Sequence, residues 1–245
     1  MTYINLAGAV IALNIVNWWH PVAITLLFAY FGRLVRGVTS SGAIAGAGVC
    51  FALTIGAGWG GFAALCVVFM LTWAATRVGR AHKQRLGTAE ALGGRDALQV
   101  FANIGVSSVC ALIYLRSGNA NILVCAGAAL AEAAADTASS EIGQALGGVP
   151  RLVTNWKAVA AGTNGAVSIT GTLAGAATAA AVSGTCASGG MFGWHGFLVC
   201  TSSAILGTFA DSLMGATVER WGWIGNNIVN FLSTLIAAAG AWLLL

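Results

Sequence analysis

The chain has 245 residues, 58% apolar and only 7% charged, with a mean hydropathy of +0.85 and a formal net charge of +4. So little charge on so apolar a chain excludes an ordinary water-soluble domain, and no nucleic-acid partner is expected. The expected class is all-α: a polytopic integral membrane protein in which the 34 glycines let helices approach closely.

Eight apolar runs follow one another at 4–32, 40–56, 60–79, 97–115, 121–143, 164–184, 196–217 and 225–245. The second is short, so seven or eight transmembrane helices are expected. No Ser/Pro linker or charged tail divides them, and residues 1–245 are read as a single transmembrane helical domain. The first run has no basic n-region and no clear cleavage site before Arg33, so no cleavable signal peptide is expected. His20-Pro21 makes it either one kinked helix or two half-spans. Gly56-Ala57-Gly58-Trp59-Gly60-Gly61 formally fits GxGxxG, but it lies in a turn between apolar helices rather than after a strand, so no dinucleotide site is read there.

A basic cluster follows the third run: Arg77, Arg80, His82, Lys83 and Arg85, then Glu90, Arg95 and Asp96. Several cations together suit a multiply charged phosphate, and equally an anionic lipid surface. Asn103 follows inside the fourth run. The fifth carries Glu132, Asp136 and Glu141, although a carboxylate at the centre of a spanning helix costs about 2.5–3.5 kcal/mol. Glu132, Asp136, Ser140 and Gly143 share one helical face. Glu141 is rotated about 140° from Asp136, so either the helix breaks near Ser140 or Glu141 serves a different partner. Asp136 suits Mg²⁺, which takes one or two protein carboxylates and completes its shell with phosphates and water.

Trp156-Lys157 precedes Gly162-Thr163-Asn164-Gly165, read as opening the sixth helix, where backbone N–H groups could receive a phosphate and Lys157 would add a mobile charge. The same four residues also make a plain turn and cap. In the seventh run Gly207, Asp211 and Gly215 form a stripe at four-residue spacing, with a second candidate metal ligand at its centre. Asn226, Asn227 and Asn230 open the last run, Asn226 and Asn230 on one face. The six cysteines stand singly and read as small packing residues, and the tryptophans near span ends read as interfacial anchors.

Positive charges orient the chain. Ten of the eleven Lys and Arg residues fall in links on one side, which the positive-inside rule makes cytoplasmic, with Arg116 the exception. Asp136, Glu141, Asp211 and Glu219 fall in the same loops or helix halves, so a polar site facing the cytoplasm is expected.

Ser40-Ser41-Gly42-Ala43, the stretch from Glu90 through Gly93-Gly94-Arg95 to Gln99-Val100-Phe101-Ala102-Asn103, Ala135-Asp136-Thr137-Ala138-Ser139-Ser140-Glu141-Ile142-Gly143, Gly162-Thr163-Asn164-Gly165-Ala166-Val167-Ser168, Asp211-Ser212-Leu213-Met214-Gly215-Ala216 and Asn226-Asn227-Ile228-Val229-Asn230 occur in that order. Together they resemble the family long labelled domain of unknown function 92, which includes a plant phytyl-phosphate kinase. Ala138 stands where that family often has Trp, and Ala166 where it often has Gly. The resemblance implies a membrane kinase that moves a phosphoryl group from a nucleoside triphosphate, CTP or ATP, to a prenyl monophosphate of the phytyl or farnesyl type. On that reading Mg²⁺ is the cofactor, bound by Asp136 and Asp211 with Glu141 a lesser candidate. Lys157, Ser140, Gly162, Thr163, Asn164, Asn103 and Asn227 would hold nucleotide phosphates. Arg77, Arg80, Lys83, Arg85 and Arg95 would hold the acceptor phosphate or the nucleotide tail, and the prenyl chain would lie among membrane lipids between small-residue helices. The alternatives are a lipid cytidylyltransferase and a transporter for a cation or a phosphorylated compound.

Overall fold

The computed structural model describes residues 19–89 and 93–245. Residues 4–18 of the first apolar run, and Glu90, lie outside them. The described residues form helices α1 (Trp19–Leu34), α2 (Ser40–Arg77), α3 (Arg80–Leu86), α4 (Ala97–Ser117) and α5 (Asn121–Leu146). A two-stranded antiparallel ribbon follows, β1 (Arg151–Leu152) with β2 (Ala166–Val167), paired Arg151 to Val167 and Leu152 to Ala166. Then come α6 (Ile169–Ser188), α7 (Trp194–Met214) with a π-helical turn at Gly215–Glu219, and α8 (Asn226–Leu244). Among the described residues five helices are long and apolar enough to cross a membrane.

The longest of these is a hairpin. Straight, the 38 residues of α2 would extend for about 57 Å, nearly twice the hydrocarbon thickness. Gly58 breaks the helix at φ 63°, ψ −155°, a conformation closed to residues with a side chain. The two arms correspond to the separate runs 40–56 and 60–79. Their far ends meet on one loop: Arg33 donates to Ser40 Oγ (3.3 Å), while Trp73 Nε1 (3.3 Å) and Arg77 Nη2 (3.0 Å) both donate to Val35 O. Helix α1 lies against the second arm, with Phe28 edge-on to Phe62 and Phe69.

Helix α5 is the central element, with 83% of its most apolar stretch buried. Alanines from Ala126 to Ala135 make its wall, so neighbouring helices approach nearly to backbone contact. Ala111 of α4 leaves no room for a Cβ at Gly56, and Ala135 O of α5 lies 3.0 Å from where Gly175 of α6 would carry one.

Four described helix ends close with the same pair of backbone bonds, a 6→1 bond enclosing a 5→2 bond. In three the left-handed residue is glycine: Gly87, Gly190 and Gly222. In the fourth, at the end of α1, it is Arg36, with φ 56°. A non-glycine residue held there costs about 1–2 kcal/mol.

Candidate functional site

Arg95 is held from three directions. Its backbone bridges to the α1–α2 loop, with Thr39 N donating to Arg95 O (2.9 Å) and Arg95 N to Gly37 O (3.1 Å). Gly94 at φ 77° and Gly42 permit this contact, because a Cβ on either would strike the opposing backbone. The next residue, Asp96, caps α4 reciprocally with Gln99, both bonds 2.9 Å long. The guanidinium of Arg95 then reaches α5, where Nη2 donates to Thr137 Oγ1 at 3.0 Å.

Beside Arg95 opens a polar cavity of about 360 Å³. Asp136 of α5 and Asp211 of α7 line it, their carboxyls adjacent to one another, with Arg95 the cation facing Asp136. Gln99 and Asn103 come from α4, Ser140, Glu141 and Gln144 from α5, and Asn226 and Asn230 from α8. Asn103 donates to Gln99 O (2.7 Å) and receives Asn230 Nδ2 at 3.4 Å. The ribbon supplies the rim through Gly162, Thr163 and Asn164. Gly165, at φ 72°, lies against the backbone of Ala216 so closely that no Cβ fits. That contact falls on the π-helical turn, an irregularity frequent at functional sites.

Two buried oxygens at this cavity have no hydrogen-bond partner: Asp211 Oδ2 and Gln144 Oε1. Two adjacent carboxylates in a low-dielectric surrounding repel, and a cation between them relieves that repulsion. Among the described residues no group of three His, Cys, Asp or Glu side chains could hold a metal by itself. The two carboxylates and the unpartnered Asp211 Oδ2 are the kind of donor Mg²⁺ takes, one or two carboxylates being enough when phosphates and water supply its other ligands.

The expected site residues divide. Asp136, Asp211, Arg95, Ser140, Asn103, Gly162, Thr163 and Asn164 share the polar cavity. Arg77 and Arg80 line a second, adjoining cavity instead. Lys83 is fully buried, and its three N–H donors are taken by Ala75 O (3.3 Å), Thr76 O (2.9 Å) and the Glu141 carboxylate. No donor remains for a phosphate. Helix α5 continues unbroken past Ser140, so Glu141 serves that partner while still lining the cavity. Arg85 and Lys157 are exposed and line neither cavity. Asn227 also lines neither, since its neighbours Asn226 and Asn230 hold the inward face of α8.

The Gly162–Gly165 turn does not open a helix. It leads into β2, and α6 begins later at Ile169, capped by Ser168 Oγ on Gly171 N (3.1 Å). Thr163 N–H is already spent on Ala160 O at 3.2 Å. Glu219, expected on the same face as Asp136 and Asp211, lines the polar cavity; Gln99 and Gln144 line it too, and Arg36 lines the second cavity, none of these three having been given a site role from sequence. Glu132 is 1% exposed, with Oε1 unpartnered, and is sealed against Gly207 without lining either cavity.

The family model described as "Integral membrane protein DUF92" matches residues 23–238. An uncharacterized membrane protein of Synechocystis is 33% identical over 194 residues, covering 74% of this chain and 72% of the relative. Protein VTE6, chloroplastic, of Arabidopsis thaliana is 32% identical over 240 residues, with coverages of 93% and 72%. Protein PGR of the same plant is 30% identical over 266 residues, with coverages of 89% and 92%. No solved structure matches the chain significantly. This chain is a multi-pass membrane protein that belongs to the DUF92 family.

Proposed function

We propose that the protein is a prenyl-phosphate kinase, transferring the terminal phosphoryl group of a nucleoside triphosphate to an isoprenoid monophosphate. The observation that carries this reading is the carboxylate pair Asp136 and Asp211, with its unpartnered oxygen, facing Arg95 across a polar cavity of about 360 Å³. Phosphoryl transfer asks little covalent chemistry of a protein; it asks for positioning and for stabilisation of charge on the transferred group. When bound, Mg²⁺ would supply charge neutralisation for the phosphates. Asp136 and Asp211 would hold it from two helices. Arg95 would present its planar donor fork to the phosphoryl oxygens, held in place by Thr137. Asn103, Asn226, Asn230 and the Gly162–Asn164 rim would orient the nucleotide. The acceptor phosphate is already anionic, so the transfer needs no dedicated general base. The excess of cations in the links around this cavity supports a cytoplasmic opening.

The nucleotide product tests the reaction class. Purified protein in lipid nanodiscs with Mg²⁺, ATP or CTP and farnesyl monophosphate should yield nucleoside diphosphate and farnesyl diphosphate in equal amounts. Release of pyrophosphate would identify a cytidylyltransferase instead. Absence of turnover, with flux of a solute across proteoliposomes, would identify a transporter.

A further inference from the structure

A second cavity, of about 350 Å³, adjoins the polar one. Its walls come from α1, both arms of the α2 hairpin and α4, and they are mostly apolar: Phe28, Val49, Leu65, Val68, Phe69 and Ile104. From Arg77 at its mouth down to Leu65 the second arm of α2 descends about 18 Å. Arg36, Arg77 and Arg80 stand at the mouth, and Arg95 and Asn103 line both cavities. Apolar walls, a cationic mouth and a shared boundary with a polar chamber suit a ligand with one long hydrocarbon chain and an anionic head.

Arg36 gives an independent sign. The backbone it occupies is the left-handed closing position that Gly87, Gly190 and Gly222 fill in the other helix ends of this kind. Glycine would form the turn without strain, yet this end carries an arginine, and that residue lines the cavity. Backbone strain held in place at a cavity mouth is expected where the side chain serves a ligand.

We infer that the cavity between α1, the α2 hairpin and α4 is the acceptor-lipid site, taking the chain of an isoprenoid monophosphate between Val49, Leu65 and Val68 with its phosphate under Arg36 and Arg95. This rests on the kinase reading for the identity of the ligand. It adds that acceptor and nucleotide occupy separate chambers that meet at Arg95. A prenyl phosphate entering from the bilayer can then reach the transfer site without displacing the nucleotide.

The test uses a farnesyl monophosphate carrying a diazirine on its terminal isoprene unit, with full-length protein in phosphatidylcholine nanodiscs. Peptide mapping after irradiation should find label on Leu65, Val68 or Phe69. Unlabelled farnesyl monophosphate should compete at least about tenfold better than farnesol or phosphatidic acid. Label concentrated on α6 or α8 would overturn the site, and equal competition by phosphatidic acid would make it a general lipid groove. The variant Arg36→Gly relieves the strained turn, so its melting temperature should stay level or rise. Its KM for farnesyl monophosphate should rise at least about tenfold, with KM for nucleotide changed less than twofold. An unchanged KM for the lipid would remove Arg36 from the site. Correct labelling without any phosphoryl transfer would leave the lipid site standing and sink the kinase reading, whereas transfer with label elsewhere would do the reverse.

Discussion

Lys83 belongs by sequence to a cytoplasmic basic cluster, and by structure it is a buried pin. It reaches from α3 to the carbonyls of Ala75 and Thr76 in the last turn of α2, and to Glu141 on α5. The side chains of the pair are 1% and 12% exposed. The ammonium thus closes the negative end of one helix while it ties a short amphipathic helix to the central one. Replacing it by methionine keeps most of the volume but leaves the half-buried Glu141 carboxylate without its cation. Removing one partner of a fully buried pair costs about 3–5 kcal/mol, and the exposure of Glu141 to the polar cavity places this loss toward or below the lower end. Two carbonyl bonds go with it, and their net worth is about 1 kcal/mol each. Lys83→Met should therefore destabilise the protein strongly in detergent denaturation, and Glu141→Gln in the same background should recover a large part of the loss, because the stranded charge disappears. The double-mutant cycle is the assay. A Lys83→Met protein of unchanged stability whose KM for either substrate rises at least tenfold would refute the structural role and restore Lys83 as a phosphate ligand.

Three further outcomes follow from the same geometry. Lys157→Ala should change turnover and both KM values less than about threefold, because Lys157 is exposed and lines neither cavity, and exposed charges contribute little, typically below about 1 kcal/mol. Arg95→Lys keeps a charge but loses the planar fork, so steady-state kinetics should show a fall in kcat of at least about tenfold, since a lost charge-assisted bond of about 1.5–3 kcal/mol exceeds the 1.4 kcal/mol that corresponds to tenfold. Gly165→Ala puts a Cβ into the backbone of Ala216 from a residue at φ 72°, so the ribbon should lift from the π-helical turn. Limited proteolysis between Arg151 and Ser168 should accelerate while the melting of the helical core shifts little.

The helical membrane class was legible because it rests on composition and on long apolar runs, which depend on no tertiary contact. The Gly58 turn was legible too, as glycines between two runs each close to membrane length. Asp136 and Asp211 stood out because a carboxylate inside such a run has to be explained. The cations were harder to sort. Lys83, Arg85 and Lys157 read alike in sequence, and only the fold decides which is buried against Glu141 and which faces solvent. The Gly162–Gly165 turn was misplaced onto a helix because the strands that flank it are two residues long and pair non-locally. Asn226 and Asn230 were visible as one face of a helix, but which face turns inward depends on Asn103 of α4. Arg36 carried no sequence signal, because its oddity exists only once α1 is known to end two residues before it.

On the proposed reading, Asp136 and Asp211 together support metal-dependent phosphoryl transfer. The most direct measurement follows label from the terminal phosphate of ATP or CTP to farnesyl monophosphate under single-turnover conditions, in wild type, Asp136→Asn and Asp211→Asn, with Mg²⁺ varied. Labelled farnesyl diphosphate should form in wild type only with Mg²⁺ present, and each variant should lose at least about a hundredfold. Both variants should remain folded, since Asn keeps the side-chain size and removes one of two neighbouring like charges. Transfer at near wild-type rates in both variants, or in wild type with Mg²⁺ removed by chelation, would contradict that reading.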